Sequence, residues 1–275
     1  MIHLRRQFLS IAILVAALAS VVSAQRGRPA APSKPATGRS AADAAKRTPQ
    51  PVPFSPGETL TYDVSWSSFL TAGAATLSVK ETKPSYGSDA YYIVAEGRPT
   101  PLLSKLYDLY YKADTLLDIY SLLPQRASVY SAEGKRHRLK VTTFDHAAKK
   151  AQYEVQTHTL VKKELAISAY SQDGLAALYV LRAVALKPGD KFTMPICDAG
   201  EAYNVQITVG GVETVKTGIG DVRAWKITPS MPSDHAGGAK RLSLWVSDDP
   251  RRLPVRMQAQ LAVGSFDLTL KSSNR

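Results

Sequence analysis

The sequence has very little cysteine, since Cys197 is the single one in 275 residues. An intrachain disulfide is therefore excluded, as is a zinc site built from several cysteines. The chain also lacks the His-x-x-x-His and His-x-x-Glu-His spacings, a Gly-x-Ser-x-Gly motif and a phosphate-binding loop. We therefore predict no catalytic residue, no metal and no cofactor.

Long apolar runs are also scarce, and the one near the N-terminus, residues 11–19, is too short to span a bilayer. Arg5 and Arg6 precede this run, and Val22-Ser23-Ala24 supplies the small residues that signal peptidase reads. We predict a signal peptide over residues 1–24, rather than a membrane anchor. Cleavage near Ala24 would leave a soluble periplasmic or secreted protein, without a cysteine for lipid attachment.

Acidic residues are in the minority, and the net charge of +12 is unevenly distributed. Residues 25–53 contain six basic residues and one acidic residue in a stretch rich in Pro and Ala. We predict a disordered basic tether, which is either a passive linker or a segment that associates with an anionic envelope surface. Residues 54–275 are only mildly basic, which argues against nucleic acid as a partner, and we predict one domain there.

The pattern of residues 54–275 favours an antiparallel β structure. Apolar residues recur at every second position in several segments, for example 60–66, 75–79, 203–209, 242–246 and 266–270. This alternation gives each strand one buried and one solvated face. Turn signals, including Gly210-Gly211 and Gly218-Ile219-Gly220, separate the segments. We predict ten to twelve strands in a mainly β fold, a curved antiparallel sheet that is a half-barrel or barrel-like.

One segment, at about residues 171–187, does not alternate in this way. It is apolar nearly all round, Ser171 or Asp173 can cap its start, and Pro188-Gly189 ends it. We predict one main helix there, inserted into the sheet and buried on most sides. A shorter helical turn is predicted over residues 99–105.

Three stretches carry a family resemblance: Phe54-Ser55-Pro56-Gly57-Glu58 with Leu60-Thr61-Tyr62, Asp173-Gly174-Leu175 through Pro188-Gly189-Asp190, and Leu244-Trp245-Val246-Ser247-Asp248-Asp249 with Leu253-Pro254-Val255. They resemble the uncharacterised bacterial DUF3108 family over essentially all of residues 54–275. The resemblance implies an exported β-rich domain without an assigned reaction. Its implied shape is similar to the half-barrel of periplasmic lipoprotein carriers, although a fold does not assign a function.

Arg182 is the first candidate site residue. It lies on the same helical stripe as Leu175, Leu178 and Tyr179, so its guanidinium is carried toward the core. A buried charge needs a partner, and the candidate partners are Glu58, Asp63, Glu96, Asp114 and Asp118. Two roles remain open, a clamp between helix and sheet and an anchor for an anionic ligand headgroup.

Aromatic residues supply the other candidates. Tyr107, Tyr110 and Tyr111 fall within five positions, and tyrosine suits the rim of a binding groove as well as an ordinary strand. Together with Tyr179, Trp66 and Arg182 they are our predicted ligand- or partner-binding residues. Cys197 is interpreted as a buried structural cysteine, since no recognisable hydrolase signature accompanies it.

Three functional hypotheses follow. The preferred one is a non-enzymatic exported domain that binds an apolar or acyl-bearing ligand, or a lipoprotein-like partner, on its concave face. The second is an interaction scaffold of the cell envelope, docked through its basic tether. The third is a cysteine hydrolase that uses Cys197.

Overall fold

The structure is a computed structural model, and it describes residues 47–67, 70–105, 108–157, 159–232, 241–261 and 264–274. Fourteen strands form one antiparallel sheet, accompanied in the described residues by two helices. The strands are β1 (Thr59–Trp66), β2 (Leu70–Ser85), β3 (Ser88–Pro99), β4 (Leu109–Asp118), β5 (Pro124–Glu133), β6 (Arg136–Asp145), β7 (Lys150–Gln156), β8 (Leu160–Ala166), β9 (Lys191–Asp198), β10 (Glu201–Thr217), β11 (Gly220–Ser230), β12 (Arg241–Ser247), β13 (Pro254–Leu261) and β14 (Gly264–Asn274). The helices are α1 (Pro101–Ser104) and α2 (Gly174–Ala183).

The sheet consists of two meanders joined at their middle. Its order is β8-β7-β6-β5-β4-β3-β2-β1-β14-β13-β12-β11-β10-β9. Neighbours in the sheet are also neighbours in sequence, except for β1 and β14, which pair from Thr59 with Asn274 to Trp66 with Phe266. The edge strands β8 and β9 do not pair with each other in the described residues. The predicted mainly β fold with one main helix is confirmed, and the sheet is not closed into a barrel.

The segment between β8 and α2 partly covers the gap between the two edges. The Gln172 N–H donates to the Pro195 carbonyl at 2.9 Å, and the Gln172 carbonyl accepts from the Cys197 N–H at 2.8 Å. From β8, the Lys163 ammonium donates to the Gly200 carbonyl at 2.8 Å. These bonds satisfy part of the edge of β9 and hold the sheet in a curl. The curl defines an inner face, toward α2, and an outer face.

Helix α2 begins where its sequence provides a cap. The Asp173 carboxylate accepts from the backbone N–H groups two and three positions further on, at 2.8 and 3.0 Å, and the Thr115 hydroxyl donates to it at 2.7 Å. Val184 is extended, so the helix is shorter than the predicted 171–187. None of its residues is exposed, which confirms the predicted buried helix.

The helix packs against side chains from both meanders. On one side, Tyr179 belongs to a buried cluster with Phe54 and Ile93, and the Phe54 ring meets the Tyr179 ring edge-on at 4.9 Å. On the other side, Leu181 packs with Ile227 and Val246. Burying these large side chains provides the main stabilisation of the fold, at about 1.5–3 kcal/mol each.

One predicted turn is wrong. Gly210-Gly211 lies inside β10, at a register shift between Val209 and Val212, and two glycines tolerate such a bulge well. The hairpin turns at Gly218 and Ile219, as the other turn signal predicted, and an added Cβ at Gly218 would clash with the Lys271 carbonyl oxygen. The predicted short helical turn is present as α1.

The first described residues lie against the sheet. The Gln50 N–H donates to the Ile119 carbonyl at 2.9 Å, and Val52 packs on the cluster that contains Phe54. Residues 47–53 of the predicted tether therefore contact the domain. The predicted signal peptide and residues 25–46 lie outside the described residues. Among the helices that the structure describes, none is long and apolar enough to cross a membrane.

The cap of α2 gives a first testable prediction. We expect Asp173→Ala to lower the free energy of unfolding by about 1–2 kcal/mol, because two helix N–H groups lose their acceptor. Asp173→Asn keeps a carbonyl oxygen at the same place and should lose less. Urea denaturation of the exported chain measures both, and equal losses for the two variants would contradict the capping role.

Candidate functional site

Arg182 is buried at the end of α2, with 1% of its surface exposed. Its Nη1 and Nη2 donate to Oε1 and Oε2 of Glu58 at 2.6 and 2.8 Å. Its Nε donates to the Arg252 carbonyl at 2.9 Å, and its Nη2 also donates to the Arg251 carbonyl at 3.2 Å. The guanidinium thus bonds to two parts of the chain that are far apart in sequence.

These contacts decide between the two roles left open by the sequence. Glu58 was among the predicted partners, and the fork-on-fork pairing directs the guanidinium at protein acceptors rather than at a ligand. The Tyr179 ring lies 5.0 Å from the Arg182 guanidinium carbon, and burial raises the pKa of Tyr179. Arg182 and Tyr179 therefore form a clamp between helix and sheet.

We expect Arg182→Met to lower the free energy of unfolding by about 3–5 kcal/mol, because it leaves the Glu58 carboxylate buried without its partner. Glu58→Leu should be similarly damaging, and the double variant should cost much less than the sum of the two. Chemical denaturation in a double-mutant cycle gives the coupling. Additive losses would show that the pair does not act as a unit.

The predicted tyrosines separate onto opposite faces of the sheet. Tyr110 lies on the outer face of β4, where its hydroxyl donates to Oε1 of Glu96 at 2.5 Å and Arg98 lies over its ring at 4.7 Å. Tyr111 lies on the inner face and is buried. Tyr107 lies outside the described residues. The three tyrosines therefore do not form a single aromatic surface in the described residues.

Trp66 belongs to the inner face at the end of β1. Its ring stacks on Phe266 with centroids 6.4 Å apart and planes inclined by 13°. The ring is half-buried, whereas Phe266 is buried beneath it. Of the predicted residues, Trp66 and Tyr111 thus share the inner face, and neither contacts the Arg182 clamp through any described hydrogen bond.

A wall of mostly small side chains runs across the inner face beside Tyr111. In the strand register, residues on the neighbouring strands β2 to β8 lie directly opposite one another and form one row. The row consists of Leu77, Ala95, Ala113, Val129, Lys140, Val155 and Val161. The adjoining row consists of Ala75, Gly97, Tyr111, Ser131 and Arg138. We call these two rows the inner wall.

Space is open in front of Gly97, whereas its neighbours Ala75, Ala95, Ala113 and Tyr111 in the inner wall are buried. A Cβ added to Gly97 would have no heavy atom within 4 Å. Several apolar side chains pack against the cluster that contains Tyr111 and yet remain half-buried, namely Leu175 and Leu178 of α2, Val64, Met257 and Val129 of the inner wall. These side chains leave apolar surface accessible below α2, and we call this part of the inner face the hollow.

Charged groups border this hollow. Asp198 ends β9, and its Oδ1 accepts from the Ala199 N–H at 2.8 Å. Burial, reinforced by the Asp173 carboxyl, raises the pKa of Asp198 to about 6, and burial lowers the pKa of Lys140. Among the described residues, neither Asp198 nor Lys140 has an ion-pair partner within 4 Å. An acid with a raised pKa and a base with a lowered pKa in the same cleft are common at functional sites.

Sequence reasoning missed Lys140, Arg138 and Asp198. The signal for the first was ambiguous, because Lys140 shares its alternation phase with Phe144 whereas Leu139 and Val141 occupy the other phase, and the structure alone shows that Thr142 and Phe144 are buried. A charged residue in the buried phase of a strand is unusual. No such signal marks Asp198, whose position beside Lys140 depends on the curl of the sheet.

Cys197 is buried on β9 in a cluster with Phe144 and Tyr153. Burial raises the pKa of Cys197 to about 12, with the Asp198 and Asp173 carboxyls acting in the same direction. A thiol in these surroundings is held protonated, the opposite of an activated nucleophile. The environment therefore favours a structural cysteine. No group of three or more potential metal ligands occurs in the part of the chain that the structure describes.

The chain belongs to the DUF3108 family of proteins of unknown function, whose model matches residues 61–271. Among solved structures, it is similar to a β-barrel-like protein of the DUF1849 domain of unknown function from Brucella abortus, with 11% identity, a TM-score of 0.51, and coverage of 79% of this chain and 96% of that one. A putative exported protein with a YmcC-like fold from Bacteroides fragilis matches with 12% identity and a TM-score of 0.28, covering 83% of this chain and 100% of that one. No curated protein matches the sequence.

These comparisons confirm the predicted family. The likeness to the DUF1849 protein supports the β-barrel-like fold and concerns the fold alone. The chemistry of the site has therefore to be argued from the residues of this chain.

The raised pKa of Asp198 predicts how stability depends on pH. The folded state binds this proton more tightly than the unfolded state, so the free energy of unfolding should fall as the pH rises from about 4 to above 6. We expect Asp198→Asn to be the more stable protein at pH 8, by on the order of 1–3 kcal/mol, and nearly equal to the wild type at pH 4.

Urea denaturation at pH 4, 6 and 8 measures this difference, with the exposed Asp221→Asn as the matched control. A variant that is destabilised equally at all three pH values would show that Asp198 has a favourable partner in the folded state. The wild type should keep some slope in either case, because burial also raises the pKa of Asp173.

Proposed function

We propose that this protein is a non-enzymatic, extracytoplasmic domain that binds an apolar or acyl-bearing ligand on the inner face of its curled sheet. The observation that carries the proposal is the hollow below α2, where Gly97 faces open space and inward-facing apolar side chains remain partly exposed. Burying such surface on a ligand is favourable by about 25 cal/mol per Å². The export pattern of residues 1–24 supports an extracytoplasmic place of action.

The shape of the inner wall suits a narrow, flexible apolar chain. Gly97 and Ser131 lie directly on either side of Tyr111, are half-buried, and present little side-chain bulk there. Leu175 and Leu178 of α2 face the same cluster. An acyl chain is the common biological ligand whose cross-section fits between small side chains and a helix.

The proposal also accounts for the absence of a reactive group in the described hollow. The thiol of Cys197 is held protonated, and the Arg182 guanidinium is engaged by Glu58. Neither group is placed to perform covalent chemistry on a ligand.

Native mass spectrometry and lipid extraction of the full chain, exported with its own N-terminal segment, test the proposal directly. We expect co-purified acyl lipids, or micromolar binding of a fluorescent fatty acid. A protein that emerges empty and binds no such probe would overturn the proposal, and would leave the alternative of an envelope scaffold that associates through residues 25–53.

A sharper test fills the hollow. We expect Gly97→Val to weaken binding of the fluorescent fatty acid about tenfold, because its side chain displaces roughly two methylene groups of the ligand at ~0.8 kcal/mol each. Valine suits a strand, so the fold should be retained. Gly211→Val makes the same change at an exposed glycine of β10 that also faces open space, and should leave binding unchanged. Equal effects of the two variants would place the ligand elsewhere.

A further inference from the structure

We propose that the ligand of the inner wall carries an oxyanion head, a carboxylate or phosphate, and that Lys140, Arg138 and Tyr111 bind this head. The inference rests on the proposed function and specifies its ligand as an anionic amphiphile. It is carried by three polar groups, which the strand register brings together at one part of an otherwise apolar surface.

Lys140 is the single charged residue in its row of the inner wall. Its direct neighbours across β6 are Val129 and Val155, both apolar. The side chain is half-buried, and no ion pair or hydrogen bond of its ammonium occurs among the described residues. Placing an ammonium on an apolar surface is costly unless a counter-charge meets it. A bound oxyanion would supply that charge.

Arg138 and Tyr111 stand in the adjoining row, on either side of Ser131. Directly opposed residues in a sheet have their Cβ atoms about 4.5–5.5 Å apart, so Arg138 and Tyr111 each lie beside Ser131 and are separated from one another by one strand. In our proposal both side chains extend over Ser131 toward the ligand head. The Tyr111 hydroxyl is buried, with 5% of the residue exposed, and has no hydrogen-bond partner in the described part of the chain. An unpaired buried hydroxyl is unfavourable, and a ligand oxygen would pair it.

The two cations repel one another when the hollow is empty. Arg138 and Lys140 lie two positions apart on the same face of β6, and this proximity contributes to lowering the pKa of Lys140. An anion between them replaces repulsion by attraction, and Arg in particular pairs with carboxylate or phosphate in a bidentate manner. Two cations and a hydroxyl donor form a site with a preference for an oxyanion.

Asp198 is the main group that opposes this assignment, and the Glu133 carboxylate acts on Lys140 in the same direction. The Asp198 carboxyl acts electrostatically on both Tyr111 and Lys140, so a water-bridged pair with Lys140 is the competing interpretation. Burial holds this carboxyl partly protonated at mildly acidic pH, which weakens its electrostatic attraction to the Lys140 ammonium. Lys140 would then be available to a ligand that carries a full negative charge.

The test compares four probes that differ only in head or chain: dodecanoate, dodecyl phosphate, dodecanol and inorganic phosphate. Calorimetry with the exported full chain should show the two anionic amphiphiles binding at least tenfold more tightly than dodecanol, and inorganic phosphate binding far more weakly than dodecyl phosphate. In Lys140→Met the anionic amphiphiles should lose about 10- to 100-fold in affinity, whereas dodecanol should be unaffected.

Lys112→Met is the matched control, because Lys112 lies on the outer face of β4 and should not influence any probe. Arg138→Gln, near the end of β6, is a second variant with less risk to folding, and should weaken the anionic amphiphiles alone. Circular dichroism checks that each variant is folded.

The outcomes separate the inference from the function on which it rests. Equal affinities for dodecanoate and dodecanol, with no selective loss in Lys140→Met and Arg138→Gln, would overturn the oxyanion head and leave acyl binding intact. Binding of neither amphiphile would overturn the proposed function itself. Inorganic phosphate that binds as tightly as dodecyl phosphate would overturn the assignment of an acyl chain to this ligand.

Discussion

The buried ion pair between Arg182 and Glu58 is the interaction on which the arrangement of this fold depends. A guanidinium inside a sheet must be satisfied by protein groups, and here it bonds to Glu58 just before β1 and to carbonyl groups between β12 and β13. One side chain thereby ties α2 to the segment before β1 and to the connection between β12 and β13. The helix is held over the inner face, where Leu175 and Leu178 pack on the cluster that contains Tyr111, and part of the inner wall beside Tyr111 stays half-buried.

The unclosed sheet also affects access to the inner face. If β8 and β9 were paired, the inner face would be enclosed, and access would depend on the ends alone. Instead, the chain around Gln172 satisfies part of the β9 edge, and Lys163 bridges to Gly200. Few bonds hold the two edges together, so the interior can be reached without breaking a continuous strand ladder.

The candidate site was only partly predictable, and the reason is visible at particular residues. Alternation along β4 establishes that Tyr110 and Tyr111 point to opposite faces, but not which of them faces the helix. Helical spacing placed Arg182 toward the core, and five acidic residues on predicted nearby strands were its possible partners, without a way to distinguish Glu58 among them. Lys140 carried only an ambiguous signal, since Leu139 and Val141 occupy the other alternation phase of β6, and Gly210-Gly211 was misread because a bulge and a turn favour the same residues.

The sequence by itself determined the family, the antiparallel β character, the single buried helix and the burial of Arg182. These features depend on local periodicity, which is written in consecutive residues. Only the tertiary structure decided that the sheet stays open, that Glu58 meets Arg182, and that Asp198 comes close to Lys140 and Tyr111. Those relations join strands far apart in sequence through the register and the curl of the sheet, and neither quantity is encoded in any one segment.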